Sequence, residues 1–236
     1  MPSTSPLIKT VLITGASRGI GLALAAHYQA LGWSVIGAVR SPATADKLKA
    51  LKPFKIVQLD TTNEVTAQRA AKELEGVAID VLINNAGICV EEDFDTITKE
   101  SLTRQFEVNA VGSFLVTRAL LPCLKNAVSA SGSAKLVHVT SSLGSIALND
   151  GEVLYPGYRA SKASLNMLHM SITHNLKSEK IACAVLCPGY VATDLNNYAG
   201  PLQPAESAAA VFKVIDGLTL DETGKYVSHE GKPFPW

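Results

Sequence analysis

Short apolar runs rich in β-branched residues recur along this chain, and the stretches between them are helical in period. The runs are "TVLITGA" (10–16), "SVIGAV" (34–39), "KIVQLD" (55–60), "DVLINNAG" (80–87), "KLVHVTSS" (135–142) and "IACAVLCPG" (181–189). Between them, "GIGLALAAHYQALG", "TAQRAAKELEG" and "VNAVGSFLVTRALLPCLKNAV" repeat apolar residues at helix spacing. Successive strand residues face opposite sides, so a strand that is apolar almost throughout must be covered on both, as in a parallel sheet. Strand–helix alternation with short connections then gives an α/β, doubly wound fold of the Rossmann kind. The expectation is one domain over 1–236: a parallel sheet of about seven strands with helices on both faces. Its last strand falls near 225–228, and 190–206 is a loop-rich excursion.

Composition narrows the function. Charged residues make up 18% and hydrophobic ones 47%, which suits a packed core and not a disordered chain. Lys+Arg and Asp+Glu both number 21, so there is no basic excess for a nucleic acid backbone. No uninterrupted apolar run approaches the ~18 residues of a membrane span. The opening "MPSTSPLIKTVLITG" lacks a charged segment followed by an apolar one, so no secretory signal is expected. Cys89, Cys123, Cys183 and Cys187 sit in or beside apolar stretches without ligand-like clustering, as reduced thiols of a cytoplasmic protein would. His27, His169 and His174 fall on predicted helices and His138 in an apolar strand; no metal site is expected.

The first strand runs into "TGASRGIG" (14–21), with Gly15, Gly19 and Gly21 where strand turns sharply into helix. Glycine permits the turn and lets backbone amides approach a pyrophosphate, which the helix N-terminus attracts.

In this spacing the chain resembles the short-chain dehydrogenase/reductase family. The resemblance extends through "NNAG" (84–87), "VNAVGSF" (108–114), "TSS" (140–142), "YRASK" (158–162) and "PGYVAT" (188–193). "SSLGSI" and the ending "GKYVSHEGKPFPW" are similar to the small carbonyl reductases of the sniffer and C-factor type. The resemblance implies a nicotinamide cofactor bound by Thr14, Gly15, Ser17, Arg18, Gly19, Ile20 and Gly21 of the first turn. It adds Asp60, Thr61, Asn85, Ala86, Gly87 and Val108, then Pro188, Gly189, Val191 and Thr193 around the nicotinamide. Asp60 is also readable as an N-terminal acid of the helix that "DTTNE" opens. The second strand bears on cofactor choice. An NAD enzyme ends it with an acid for the ribose hydroxyls, whereas here Arg40 stands there, with Arg18 nearby. Two guanidiniums suit a 2′-phosphate, so NADPH/NADP+ is expected over NADH.

"YPGYRASK" (155–162) offers two pairs at four-residue spacing, Tyr155 with Arg159 and Tyr158 with Lys162. A phenol titrates near ~10, and a lysine one helical turn later would lower that value while holding the nicotinamide ribose. Pro156 and Gly157 break the first pair, so Tyr158 and Lys162 are the expected catalysts. Tyr155 goes to the pocket mouth or to packing, and Arg159 to the surface. Thr140, Ser141, Ser142 and Ser145 are candidate hydroxyls for the substrate carbonyl. The family pattern, a serine three residues before a glycine, points to Ser141, with Ser142 the runner-up. Asn109 resembles the family's fourth catalytic residue, which holds a water linking Lys162 to solvent. Ser142, Tyr155, Tyr190, Leu195 and Tyr198 are expected around the substrate, the last three in or beside a lid loop over 190–206, under an extended loop "ALNDGEVLYPG" (147–157).

These readings converge on an NADPH-dependent carbonyl reductase acting on a small-molecule aldehyde or ketone. The alternatives are oxidation, epimerisation or elimination by the same residues, or a non-catalytic NADP(H)-binding sensor. The resemblance implies a homodimer or homotetramer through helices around 105–128 and 156–178, with some small carbonyl reductases monomeric.

Overall fold

The computed structural model describes residues 8–236. Seven parallel strands form one sheet in the order β3-β2-β1-β4-β5-β6-β7. They are β1 (Thr10–Thr14), β2 (Ser34–Val39), β3 (Lys55–Gln58), β4 (Val81–Asn84), β5 (Ala134–Val139), β6 (Ile181–Cys187) and β7 (Lys225–Ser228). Helices α1 (Gly19–Ala30), α2 (Asp46–Ala50) and α7 (Pro204–Gly217) contribute Leu24, Leu48 and Val211 to the core on one face. On the other face α3 (Glu64–Glu73), α5 (Gly112–Ser131) and α6 (Pro156–Ser178) contribute Ala67, Leu120 and Leu176.

The pleat sorts each strand between the two layers. Val11 and Ile13 join the first core and Leu12 the second; Val137 and Val139 part in the same way from Leu136. Each fully buried Leu or Ile contributes roughly 1.5–3 kcal/mol, which is why a fully buried polar side chain in mid-strand, such as the one discussed below, needs partners. The strand order reverses between β1 and β4, which pair through Ile13 and Ile83. Adjacent crossovers therefore leave in opposite directions, opening a crevice at the carboxyl ends of these strands.

Helix starts follow local chemistry. Asn63 caps α3 by accepting from Val65 N at 3.1 Å, so the cap in "DTTNE" is Asn63 and not Asp60. Thr98 caps α4 (Lys99–Phe106) by accepting from Ser101 N at 3.1 Å. A π-helical turn, Glu107–Val111, joins α4 to α5 without a break. The resulting run, Lys99–Ser131, is long and apolar enough by length and composition to cross a membrane, but Val116, Leu120 and Leu124 face the core.

The polar exception is His138 in β5. Its Nδ1 lies 2.8 Å from Nδ1 of His169 on α6, a pairing that the sequence separation of the two residues hides. Thr117 Oγ1 donates to Ser113 O at 2.9 Å, so it accepts from His138 Nε2–H at 3.2 Å and from Asn84 Nδ2 at 2.8 Å. His138 Nδ1 must then accept from His169 Nδ1–H, leaving the buried His169 Nε2 without a partner. Burial pushes the His138 ring down from 6.5 to about 4 and His169 well below its ordinary value. Among the described residues no group of three His, Cys, Asp or Glu could hold a metal. Both rings fold neutral but charge in the unfolded chain below pH 6.5, so their contribution is complete above 6.5 and is lost as pH falls toward 4. Calorimetry should show the melting temperature declining across that window. The decline should be shallower in His138→Val/His169→Phe.

Candidate active site

At the end of β1 the chain turns through Gly15 (φ +66) and Gly19 (φ +54), left-handed values that disfavour a side chain. A Cβ on Gly21 would stand 2.4 Å from the Gly15 carbonyl, so α1 can pack this close only with glycine there. No side chain caps α1 and no acid lies in its first turn. Its unpaired amides and positive dipole end thus face an anion-sized space.

This loop forms one wall of a cleft of about 1630 Å³. Thr14, Gly15, Ser17, Arg18, Gly19, Ile20, Arg40, Asp60 and Thr61 line one end; Asn85, Ala86, Gly87, Val108, Pro188 and Thr193 line the way to Tyr158 and Lys162. Thr14 and Asn85 also fasten the walls together: Thr14 Oγ1 accepts from the amides of Asn85 and Ala86, both at 3.0 Å, and Asn85 Nδ2 donates to Thr14 O at 2.9 Å. Asp60 Oδ1 accepts from the Thr62 amide and hydroxyl, a turn that leaves the carboxylate at the cleft edge. Arg40 follows β2 directly and has no ion pair among the described residues, while Arg18 Nε pairs with Asp194 at 3.3 Å across the mouth.

Four groups meet at the inner end. Lys162, 3% exposed, donates from Nζ to Val139 O at 2.9 Å and sits 5.6 Å from the centre of the Tyr158 ring. Burial lowers the Lys162 ammonium from 10.5 to about 8. Burial also holds the Tyr158 phenol above its ordinary value, and a hydrogen bond with the Ser141 hydroxyl opposes the shift. Desolvation, and not the expected lowering by Lys162, dominates the phenol in the protein itself. Of the four candidate hydroxyls, Thr140 bonds Asn166 Oδ1 at 2.7 Å and Ser145 bonds Pro235 O at 2.7 Å, whereas Ser141 Oγ accepts from Leu143 N at 3.2 Å and its hydroxyl is near enough to pull the Tyr158 phenol down. Ser142 offers its amide to Cys187 Sγ at 3.3 Å; neither it nor Ser141 lines the cleft, whereas Thr140 does. Asn109 lies at the π turn, wholly buried. Its amide accepts from Ile88 N and donates to Ile88 O, both at 2.8 Å, and donates to Ser161 Oγ at 2.9 Å. The side chain thereby ties β4's loop to α6. A Cβ on Gly87 would lie 3.1 Å from Asn109 Oδ1 and 3.5 Å from Lys162 Nζ, so glycine keeps this floor open.

A family model described as short chain dehydrogenase matches residues 9–203. The chain belongs to the short-chain dehydrogenase family. C-signal of Myxococcus xanthus is 36% identical to it over 162 residues, 67% of this chain and 93% of that protein. The NADPH-bound carbonyl reductase from chicken fatty liver has a similar structure, with a TM-score of 0.90 at 31% identity, covering 97% of this chain and 99% of that one. Carbonyl reductase Sniffer of D. melanogaster gives 0.90 at 27% identity, covering 98% and 100%.

Within this short-chain dehydrogenase, several expected residues sit elsewhere. Gly21 packs behind the loop, Val191 is buried in a bridge with Leu202, and Gly189 (φ +88) turns beside His229; none lines the cleft. Leu195 and Tyr198 do line it, whereas Tyr155 and Tyr190 stand outside its walls. Tyr155 precedes α6 with φ +63, and its amide donates to Glu92 O at 2.8 Å. Arg159 is not a surface charge: its side chain is 11% exposed, bonded to Leu154 O at 3.1 Å and paired with Glu152 at 2.8 Å. It clamps the loop before α6, a role that sequence spacing does not reveal. The lid is shorter than 190–206, since α7 begins at Pro204, and a capping box between Thr193 and Asn196 folds it tightly. Sequence reasoning also missed Cys89 in the cleft wall.

Lys162 is costly where it stands: the unfolded chain holds its proton up to 10.5, the folded one to about 8. Stability therefore rises with pH between those values. Lys162→Met should melt higher than the parent below pH 8, with the advantage fading toward 10.5 in a pH series of thermal scans.

Proposed function

We propose that this chain is an NADPH-dependent carbonyl reductase, an oxidoreductase that reduces an aldehyde or ketone with Tyr158 as proton donor. The observation that carries this reading is the pairing of Tyr158 with Lys162 in the wall of a cleft that also presents Arg40. The cleft suits a dinucleotide phosphate in three respects. The glycine turn and uncapped α1 suit the pyrophosphate, Gly87 leaves room beside Lys162, and no acid ends β2 to repel a 2′-phosphate. Bound NADPH would supply the hydride.

The chain's own residues account for the proton. The Tyr158 phenol, pushed by burial above an ordinary value already well over neutrality, is protonated at neutral pH, the state that reduction needs. The Ser141 hydroxyl acts on that phenol, so a carbonyl oxygen placed between the two hydroxyls would accept from both as negative charge develops. Lys162, fixed by Val139 O, stands by with positive charge to stabilise the phenolate left after transfer. Its ammonium also faces the space beside Gly87, where a ribose hydroxyl would be held. Ile146, Leu195 and Tyr198, all exposed, favour an apolar substrate. Leu102 and Phe106, exposed beside Ala160, support a homodimer through α4 and α6, and the four free thiols suit a cytoplasmic setting.

Tyr158→Phe should lower turnover by about 100-fold or more in an assay of NADPH oxidation with aldehydes, ketones and quinones, with NADPH binding nearly unchanged by fluorescence titration. Full activity in this variant would overturn the mechanism. Arg40→Asp should weaken NADPH binding by about 10–100-fold relative to NADH, the worth of a lost charge-assisted hydrogen bond. A parent enzyme that strongly prefers NADH would refute the assignment of Arg40.

A further inference from the structure

After β7 the chain turns back on itself. Ser228 N donates to Lys232 O and Phe234 N to Tyr226 O, both at 2.8 Å, and Val227 bridges Pro233 in antiparallel fashion. This returns Phe234 and Trp236 to Tyr226, with ring centres 5.3 and 5.2 Å away. The same tail grips the loop after β5. Ser145 Oγ donates to Pro235 O at 2.7 Å, and Ala147 N to Trp236 O at 3.0 Å. Tyr226, 2% exposed, reaches past the tail to donate its hydroxyl to Ser141 O at 2.5 Å. Ser141 lies beyond the end of β5, in an extended conformation (φ −148), so the sheet ladder does not hold it. Its carbonyl is held by Gly144 N, within the same turn, and by the Tyr226 hydroxyl, from another strand.

We infer that Tyr226, backed by the tail 229–236, is a positioning residue that aims the Ser141 hydroxyl at Tyr158. The inference rests on the carbonyl-reductase reading above. Each link has a physical reason. A hydrogen bond to the main chain fixes the Ser141 peptide plane and with it the direction of Cβ. The aromatic contacts with Phe234 and Trp236 fix the Tyr226 ring. The tail contacts at Ser145 and Ala147 stop the loop from swinging as a unit.

Tyr226→Phe removes only the hydroxyl and keeps the ring contacts. The expected result is a kcat about 3–10-fold lower, with KM and NADPH affinity within about twofold, the scale of one neutral hydrogen bond. Amide exchange over 141–148 should quicken. The limb of the pH–rate profile governed by Tyr158 should move to higher pH, because the Ser141 bond that draws the phenol down is loosened. In Ser141→Ala, where nothing remains to aim, adding Tyr226→Phe should cost no further kcat. A merely structural role would instead lower the melting temperature and give additive losses, and that result overturns the inference. Ser145→Ala, which frees the tail without touching Tyr226, should shift exchange and kcat in the same direction; parent values in both would count against the brace. If the parent enzyme reduces no carbonyl, the functional reading falls by itself. The exchange comparison still decides the brace: faster exchange in Tyr226→Phe supports it, and unchanged exchange refutes it.

Discussion

An ammonium group held in a nearly dry site organises this molecule. Lys162 is buried to 3% exposure with one protein acceptor, the Val139 carbonyl, so the end of β5 and the middle of α6 must lie at a fixed separation. Burying such a charge is unfavourable by several kcal/mol after relaxation, and the surrounding architecture offsets that cost. The two core layers clamp the sheet rigidly enough that a strand-end carbonyl, a helix lysine and a glycine floor keep their relative places. The same low-dielectric setting shifts both partners, pushing the Tyr158 phenol up and the Lys162 ammonium down.

Around this pair the polar groups are shared out with little redundancy. Thr140 is engaged by Asn166, Ser145 by the tail and Asn109 by Ile88 and Ser161, whereas Ser141 Oγ, among the described residues, accepts only from the Leu143 amide and keeps its proton to donate. Arg18 illustrates a different sharing. Among the described residues it pairs with Asp194 at the lid, so a phosphate arriving there must compete with a carboxylate, while Arg40 stands ready. Exposed pairs of this kind are worth only about 0–1 kcal/mol, so the competition is mild.

The sheet, its seven strands and the phosphate turn were legible in the sequence because period and glycine spacing are local signals. Tyr158 and Lys162 were legible for the same reason, four residues apart on one helix. What stayed hidden depends on long-range meeting. His138 and His169 are 31 residues apart, and neither carries a sign that it will find the other in the core. Tyr226 stands 85 residues from Ser141 and looks like an ordinary strand aromatic. Arg159 read as solvated because its helix spacing said nothing of the loop that folds over it. The direction of the Tyr158 shift was also misjudged, because spacing shows the helpful lysine but not the depth of burial.

The π turn at Glu107–Val111 has a consequence for how the parts of the site stay in register. An ordinary helix advances about 100° per residue, so side chains four apart drift steadily around its axis. The wider turn corrects that drift, and Gln105, Asn109, Ser113 and Thr117 form a single inward row. Gln105 takes the Val90 amide at 3.1 Å, Asn109 takes Ile88 and Ser161, and Thr117 takes His138. One helix thus serves as a straightedge: the loop after β4, helix α6 and strand β5 are all set against the same polar edge. Loss of a single residue from the turn would rotate half of that edge away from the parts it aligns.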